Sequence, residues 1–348
     1  MRSPSRRLAA IFKPQDEEAY APNNPKDYTD GTGEMRIKTG IPPGGTAIRE
    51  CAAYVLDRHA PLSLCANVPA TTMATACHPN FKQATDTHVL KRGSLQEYCC
   101  HQCSAEDISS SKFTQHSVQT IAMLDIRTFN QDRHAGNMLV RLENTAARTR
   151  SHSMLVLSEE EKETSVPPVR SNSMVELSDE HYGLPRRASY NSFELEELIP
   201  IDHGCILPHY HLMEETTFEW LFWPQSKIAF TEEQCEAIAS LTVWDDIVRL
   251  ENELGMRLEP EAIVSLHIGT LVLQLGAKAN RTLCEMGQWS VREDLDVPSM
   301  LETLIEKHQY LLQDGFEKRK VVHFLKALEG DLVSYIHASR RLRHSNTV

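Results

Sequence analysis

The chain has 348 residues, of which 41% are hydrophobic and 24% charged, and its formal net charge is −12. This length suits one large domain or two lobes around a substantial core, and the composition excludes a fibre, a disordered tail or a disulfide knot. The acidic balance argues against nucleic acid as the main partner, because phosphate backbones reward basic surfaces, and an anionic ligand would have to be held by a local site.

No apolar run approaches the roughly 20 residues needed to span a bilayer. The N-terminal stretch MRSPSRRLAAIF has basic residues but no signal-like apolar segment, and the nine cysteines are scattered. These features predict a cytoplasmic protein in a reducing compartment. Any membrane contact would be peripheral, since the net charge gives no general attraction to anionic lipid.

In chain order, LAAIF at residues 8–12 predicts a short strand ending at Lys13, stopped by Pro14. A loop rich in Pro, Asn, Asp and Gly runs from Gln15 to Gly45. In TAIRECAAYVLD, Ile48, Ala52, Val55 and Leu56 share one helical face, Thr46 is the expected cap and Glu50 lies off the apolar stripe. THVLKRGSLQEY predicts a strand and turn. A helix capped at Ser117 follows, with Val118, Ile121, Ala122 and Ile126 at helical spacing. That helix delivers the chain to NQDRHAGNMLV, residues 130–140.

MLVRL and LIPIDHG are both strand-like, and residues 143–196 between them are rich in Ser, Arg, Thr and Glu. This segment contains a near repeat, RSHSMLVLSEEE against RSNSMVELSDEH, and predicts a disordered insertion in a hairpin loop, where added length costs little closure entropy. Its stretches RTRSHS and PRRASYNS resemble targets of basophilic kinases, with an unregulated solvated linker as the alternative.

Beyond Phe218 the pattern is helical. Thr231 and Gln234 predict a capping box with Phe230 as staple. Pro260 opens an apolar helix closed by Gly276, and two amphipathic patterns follow at 301–312 and 321–336. CCHQC at 99–103 holds three thiols and His101, but no second ligand pair of matching spacing follows. Partly buried inert thiols are therefore expected ahead of zinc or lipidation.

The chemistry concentrates in the hairpin. Asn137 supplies a neutral oxygen and Asp202 an anionic one, the hard donors that Mg²⁺ prefers while it keeps water and substrate phosphates in its other positions. Asp132, five residues before Asn137, stands where a phosphotransferase keeps the carboxylate that orients an attacking hydroxyl. Lys13 and Glu50 are candidates for a phosphate-binding lysine and its orienting ion pair.

Each element alone has a plainer reading. Asp-x-Gly is often a turn, a strand lysine is often solvated, and Glu50 could be a surface carboxylate. His134 is read first as a structural histidine and second as a partner of Asp132 in proton handling. Trp220, Phe222 and Trp223 in FEWLFWP are read as packing residues rather than a membrane-contacting edge.

The phrases IFKPQDEE, IRECAAYVLD, GSLQEY, SAED, LDIRTFNQDRHAGNMLVR, LIPIDHGCILP and FEWLFWPQ resemble the catalytic family of phosphatidylinositol 3- and 4-kinases. Within it, the likeness is to the plant-type gamma group of phosphatidylinositol 4-kinases, related to the type II enzymes, and it reaches to about residue 295. It implies an α+β, bilobal, protein-kinase-like fold. A small lobe and hinge at 1–103 would be followed by a large helix-rich lobe at 104–296 and a C-terminal helical extension at 297–348.

It also implies ATP and Mg²⁺ as cofactors. Lys13 would bind ATP phosphates with Glu50, Asp132 would be the catalytic base, Arg133 and His134 would support the catalytic loop, and Asn137 and Asp202 would hold Mg²⁺. Gly93, Ser94 and Leu95 would belong to the hinge against adenine. The family's phosphate-covering loop should precede Lys13, where this sequence has twelve residues. The small lobe is therefore expected to be N-terminally incomplete, with weakened transfer or a nucleotide-binding scaffold as the consequence. The acceptor is expected to be phosphatidylinositol, with a Ser/Thr protein substrate as the alternative.

Overall fold

A computed structural model of the chain describes residues 8–26, 37–81, 89–141, 196–255 and 257–345. All of the expected insertion except Glu196 lies outside the described residues. The N-terminal part is a three-stranded antiparallel sheet in the order β1 (Ala10–Pro14), β3 (Lys91–Glu97), β2 (Thr71–Ala76), covered by helix α1 (Thr46–Arg58). Ile48, Ala52, Val55 and Leu56 of α1 are buried, as their spacing predicts.

Thr46 is the first residue of α1 and does not cap it. The carboxylate of Glu18 does, accepting from the backbone N–H groups of Thr46 (3.2 Å) and Ala47 (2.8 Å), so an anion meets the positive end of the helix.

In the sheet, Lys13 pairs with Ser94 and Pro14 with Gly93. The absence of a side chain at 93 is a steric requirement, since a Cβ there would lie 2.1 Å from the Lys13 carbonyl oxygen. The chain leaves β3 at Glu97, crosses at residues 98–100 and enters β4 (His101–Ser104). Strands β4, β5 (Met138–Arg141) and β6 (Leu198–Pro200) make a second antiparallel sheet in that order. The pairing Leu139 with Ile199 confirms the expected hairpin.

Helix α2 (Gln115–Thr128) carries the chain toward that hairpin. Its cap is Thr114, whose hydroxyl accepts from the Ser117 N–H at 3.2 Å, so Ser117 sits inside the first turn instead of capping it. The helix ends where Phe129 takes φ 47°.

The remainder is helical: α3 (Glu232–Ser240), α4 (Val243–Leu254), α5 (Pro260–Lys278), α6 (Leu283–Ser290), α7 (Met300–His308) and α8 (Lys318–Ser345). The Thr231–Gln234 capping box forms as predicted. Phe324, Leu328, Leu332 and Ile336 of α8 are buried in the same core as α2 and α5, so the last helix is part of the body of the protein.

Helix α5 is long and apolar enough to cross a membrane by length and composition, but most of it is buried in this core. Gly276 does not close it. The helix runs on to Lys278, and a Cβ at 276 would collide with the Met286 side chain.

The crossing of α2 and α5 fixes the end of α2, from which the loop 130–137 departs. A Cβ at Gly269 would stand 2.3 Å from the Arg127 carbonyl oxygen, which is backbone and cannot swing away. The substitution Gly269→Ala should therefore lower stability by about 1–3 kcal/mol, although alanine is the better helix former by about 1 kcal/mol. A urea melt of the variant checks this, and a midpoint at or above the parent's would mean that the two helices separate freely.

Candidate active site

Three elements distant in sequence meet at the ammonium group of Lys13. Its Nζ donates to Glu50 Oε1 of α1 at 2.6 Å and to Asp202 Oδ1, just beyond β6, at 2.9 Å. Glu50 is 2% exposed despite lying off the apolar stripe, because the side of α1 that carries it faces Lys13. Its second oxygen accepts the backbone N–H of His203 at 3.1 Å. The two carboxylates thus hold the lysine from opposite ends of the site, one buried and one half-exposed.

The electrostatics follow from this packing. Burial pushes the Glu50 carboxyl up, and the neighbouring Lys13 opposes that rise. Burial also works against charge on Lys13, but Glu50 and Asp202 outweigh it and hold the ammonium above its ordinary range. At Asp202, burial is outweighed by Lys13, and the carboxyl lies below its usual range. His203 is completely buried, and burial together with the nearby Arg133 holds its imidazole well below its ordinary value. Asp202 itself has φ 56°, a left-handed conformation that asparagine and aspartate accept more readily than most residues.

The loop from Asn130 to Asn137 is ordered from beneath. Arg133 is fully buried, and its Nε donates to both oxygens of Asp125 on α2, at 3.2 and 3.0 Å. Its Nη1 donates to the carbonyls of Asn137 (2.7 Å) and Ile201 (3.0 Å), the residues that precede β5 and follow β6. The Ile201 N–H also donates to the Asn137 carbonyl at 3.0 Å. Asn137 and Asp202 are thereby brought to one end of the hairpin.

The side-chain NH₂ of Asn137 donates to the Asp132 carbonyl at 2.8 Å, which leaves its oxygen as the free donor atom for a cation. One neutral and one anionic oxygen at the same end of the hairpin are of the donor types that Mg²⁺ prefers. The Asp132 N–H donates to Asn130 Oδ1 at 2.9 Å, and the Asp132 carboxylate is 41% exposed. His134 accepts the Gly136 N–H on Nδ1 at 3.1 Å and lies 3.7 Å from Glu106, a local loop role of the structural kind expected.

The model for the phosphatidylinositol 3- and 4-kinase family matches residues 2–260. The chain belongs to that family. This membership accounts for the mixed α/β, kinase-like fold. Three curated relatives are similar over most of the chain. Phosphatidylinositol 4-kinase gamma 4 of Arabidopsis thaliana is 31% identical over 344 residues, covering 96% of this chain and 51% of the relative. Phosphatidylinositol 4-kinase gamma 5 of the same plant is 33% identical over 294 residues, covering 82% and 39%. Phosphatidylinositol 4-kinase gamma 4 of Oryza sativa subsp. japonica is 32% identical over 317 residues, covering 88% and 45%. The chain thus spans about half the length, or less, of these relatives.

Two sequence expectations for this family member need correction. Gly93, Ser94 and Leu95 are not in the crossing between the two parts of the fold. They lie within β3, hydrogen-bonded beside β1, and the crossing is residues 98–100. A strand and a following hinge are both extended, so the sequence pattern did not separate them. Phe222 does not pack as expected, being 76% exposed, whereas Trp220 and Trp223 are buried. In CCHQC, at the crossing and along β4, Cys99 and Cys103 are partly buried as expected, and burial pushes the Cys99 thiol up to about 11 and raises that of Cys103, whereas Cys100 is exposed.

Two residues were missed. Asp125, 0% exposed, accepts from Asn130 (2.9 Å), Arg133 and the Trp220 indole N–H (2.9 Å), so one buried carboxylate organises the loop. The signal was present, since Asp125 falls on the apolar face defined by Ile121 and Ala122. Lys38, near Asp132, carried no local signal at all.

Asp125→Asn should destabilise the protein by about 3 kcal/mol, because it leaves the buried Arg133 charge without its counterion. Adding Arg133→Met should restore part of that stability while leaving the loop disordered. Chemical denaturation checks the first effect, and amide exchange of residues 130–137 checks the second. A single variant as stable as the parent would remove Asp125 from this role.

Proposed function

We propose that this chain is an ATP- and Mg²⁺-dependent phosphotransferase whose acceptor is a ring hydroxyl of phosphatidylinositol. The observation that carries the reading is the joining of Lys13, Glu50 and Asp202 by hydrogen bonds beside a loop that presents Asp132 and Asn137. Phosphoryl transfer needs positioning and charge neutralisation above all, and this set of groups supplies both.

In this reading Lys13 binds the nucleotide phosphates, and Glu50, buried and bonded to the His203 N–H, keeps the ammonium in place. Asn137 and Asp202 hold Mg²⁺, which when bound neutralises charge on the phosphates. Asp132 orients the acceptor hydroxyl and takes its proton. Arg133, buried and engaged through Nε by Asp125 and through Nη1 by two hairpin carbonyls, acts by positioning the loop. The adenine is assigned to the crossing at residues 98–100 in place of Gly93, Ser94 and Leu95.

The lipid acceptor is supported by the names of the relatives and by charge. Residues 203–227 contain a single lysine, Lys227, and no arginine. A surface with so little positive charge suits unphosphorylated phosphatidylinositol better than its phosphorylated derivatives. On this reading the contact with membrane is peripheral and the enzyme is cytoplasmic.

A protein acceptor is favoured by one observation. A cavity of about 430 Å³ beside the catalytic loop is lined by Glu106, Glu219 and His134 among others. Two carboxylates there suit a basic peptide side chain.

Labelled ATP supplied with phosphatidylinositol vesicles or with a generic protein separates the two acceptors. Label is expected in the lipid, and label in protein alone would overturn the lipid reading. Asp132→Ala and Asp202→Ala should each reduce transfer by about 10³-fold or more while the fold persists by circular dichroism. Undiminished turnover in either variant would mean that the roles are misassigned.

A further inference from the structure

Lys38 belongs to the segment between β1 and α1, yet its Nζ lies 3.8 Å from Asp132 Oδ1 and 3.2 Å from Glu215 Oε2. Several contacts fix it there. The other oxygen of Glu215 accepts from the Thr39 N–H (2.9 Å) and the Thr39 hydroxyl (2.8 Å). The His209 N–H donates to the Gly40 carbonyl at 2.9 Å. Gly40 must lack a side chain, since a Cβ would stand 2.5 Å from both the Leu212 carbonyl oxygen and the Pro208 Cβ. Ile41, the next residue, is buried at 2% exposure. The segment is therefore clamped to residues 208–215, and the lysine is presented at the catalytic carboxylate.

The remaining charges of the site give this placement a purpose. Arg133 is buried and engaged by Asp125 and the hairpin carbonyls, so it cannot reach a substrate. Lys13 is committed at the other side, between Glu50 and Asp202. Among the described residues, Lys38 is the basic side chain whose ammonium stands against Asp132. The phosphoryl group in flight carries negative charge on its equatorial oxygens, and a fixed cation next to the attacking hydroxyl stabilises it.

We infer that Lys38 is a second phosphate-binding cation of this site, contacting the γ-phosphoryl group at the acceptor side while Lys13 holds the nucleotide from the other. This assignment rests on the phosphotransferase reading above. In the transfer, the acceptor oxygen bonds to the γ-phosphorus as the bond from that phosphorus to the β–γ bridging oxygen breaks. The electron pair of the broken bond leaves with ADP, and the hydroxyl proton passes to Asp132. Lys38 exchanges the Asp132 oxygen for a phosphoryl oxygen, while Glu215 keeps its hold on the side chain. Glu215 is thus a positioning residue.

The test compares the binding of a non-hydrolysable Mg–ATP analogue and of Mg–ADP to the full chain and to Lys38→Ala, by titration calorimetry. The analogue should bind about 10- to 100-fold more weakly to the variant, the loss of a charge-assisted hydrogen bond, with ADP affinity retained. Lys38→Arg should keep the preference for the analogue. With substrates present, kcat of Lys38→Ala should fall by about 10²- to 10³-fold.

If Lys38 merely tethers its segment, the analogue and ADP will weaken together, and the inference fails. It also fails if neither changes. Failure of the parent chain to bind either nucleotide would instead overturn the phosphotransferase reading, and this inference with it. Thermal melts of both variants identify any loss that comes from unfolding.

Discussion

The ion pair between Lys13 and Glu50 is the constraint on which the candidate site depends. A strand lysine has many rotamers, and side-chain entropy disfavours any single one of them. Glu50 selects one because it is buried, held by the His203 N–H and unable to follow the lysine elsewhere. The cost is a carboxylate out of water, and the neighbouring ammonium and backbone donor offset it. Asp202 then reaches the same ammonium from beyond β6, so one cation ties β1, α1 and the end of the hairpin together. Loss of the lysine would remove what opposes the effect of burial on Glu50, driving its carboxyl toward the neutral form, and would leave the three elements without their common partner.

A second buried charge does for the loop 130–137 what Glu50 does for Lys13. Asp125 lies at the core face of α2, and three groups converge on it: the Arg133 guanidinium, the Asn130 amide and the Trp220 indole. Arg133 has more donors than Asp125 can accept, and the surplus goes to the carbonyls of Asn137 and Ile201. The planar guanidinium fixes these partners in one arrangement, which a lysine could not do. A chain of direct contacts thus runs from the core helix to the hairpin ends. The clamp of Gly269 against Arg127 steadies the same helix two residues further on.

How much of this was legible in the sequence depends on whether the deciding contact was local. Asp132 and Asn137 share one short loop, and Asp202 follows a strand that pairs with the one after Asn137, so spacing and hairpin logic were enough. The long segment between the strands did not obscure them, because strand pairing depends on the two apolar runs and only weakly on the length of the connection.

The caps failed for the opposite reason. Thr46 was a reasonable local choice, but the carboxylate that meets the helix end comes from Glu18, well away in sequence. Asp125 was hidden by its own helix face, whose apolar neighbours read as core alone. The segment GSLQE looked like a hinge because a strand with a buried glycine and an extended linker share one pattern. The steric reason for Gly93 exists only once β1 lies against it.

The placement of positive charge in so acidic a chain completes the picture. With a net charge of −12, long-range attraction does not favour a nucleotide, and the binding proposed for it would have to come from a few cations aimed at short range. Each of the two lysines at the site is held by carboxylates of unequal freedom. Glu50 is buried and Asp202 is half-exposed at Lys13, while Glu215 is partly covered and the more exposed Asp132 stands at Lys38. On the reading proposed for this site, the less exposed carboxylate of each pair orients the lysine and the other is the contact given up when a phosphate oxygen arrives, so that the cations would be kept in place without being quenched.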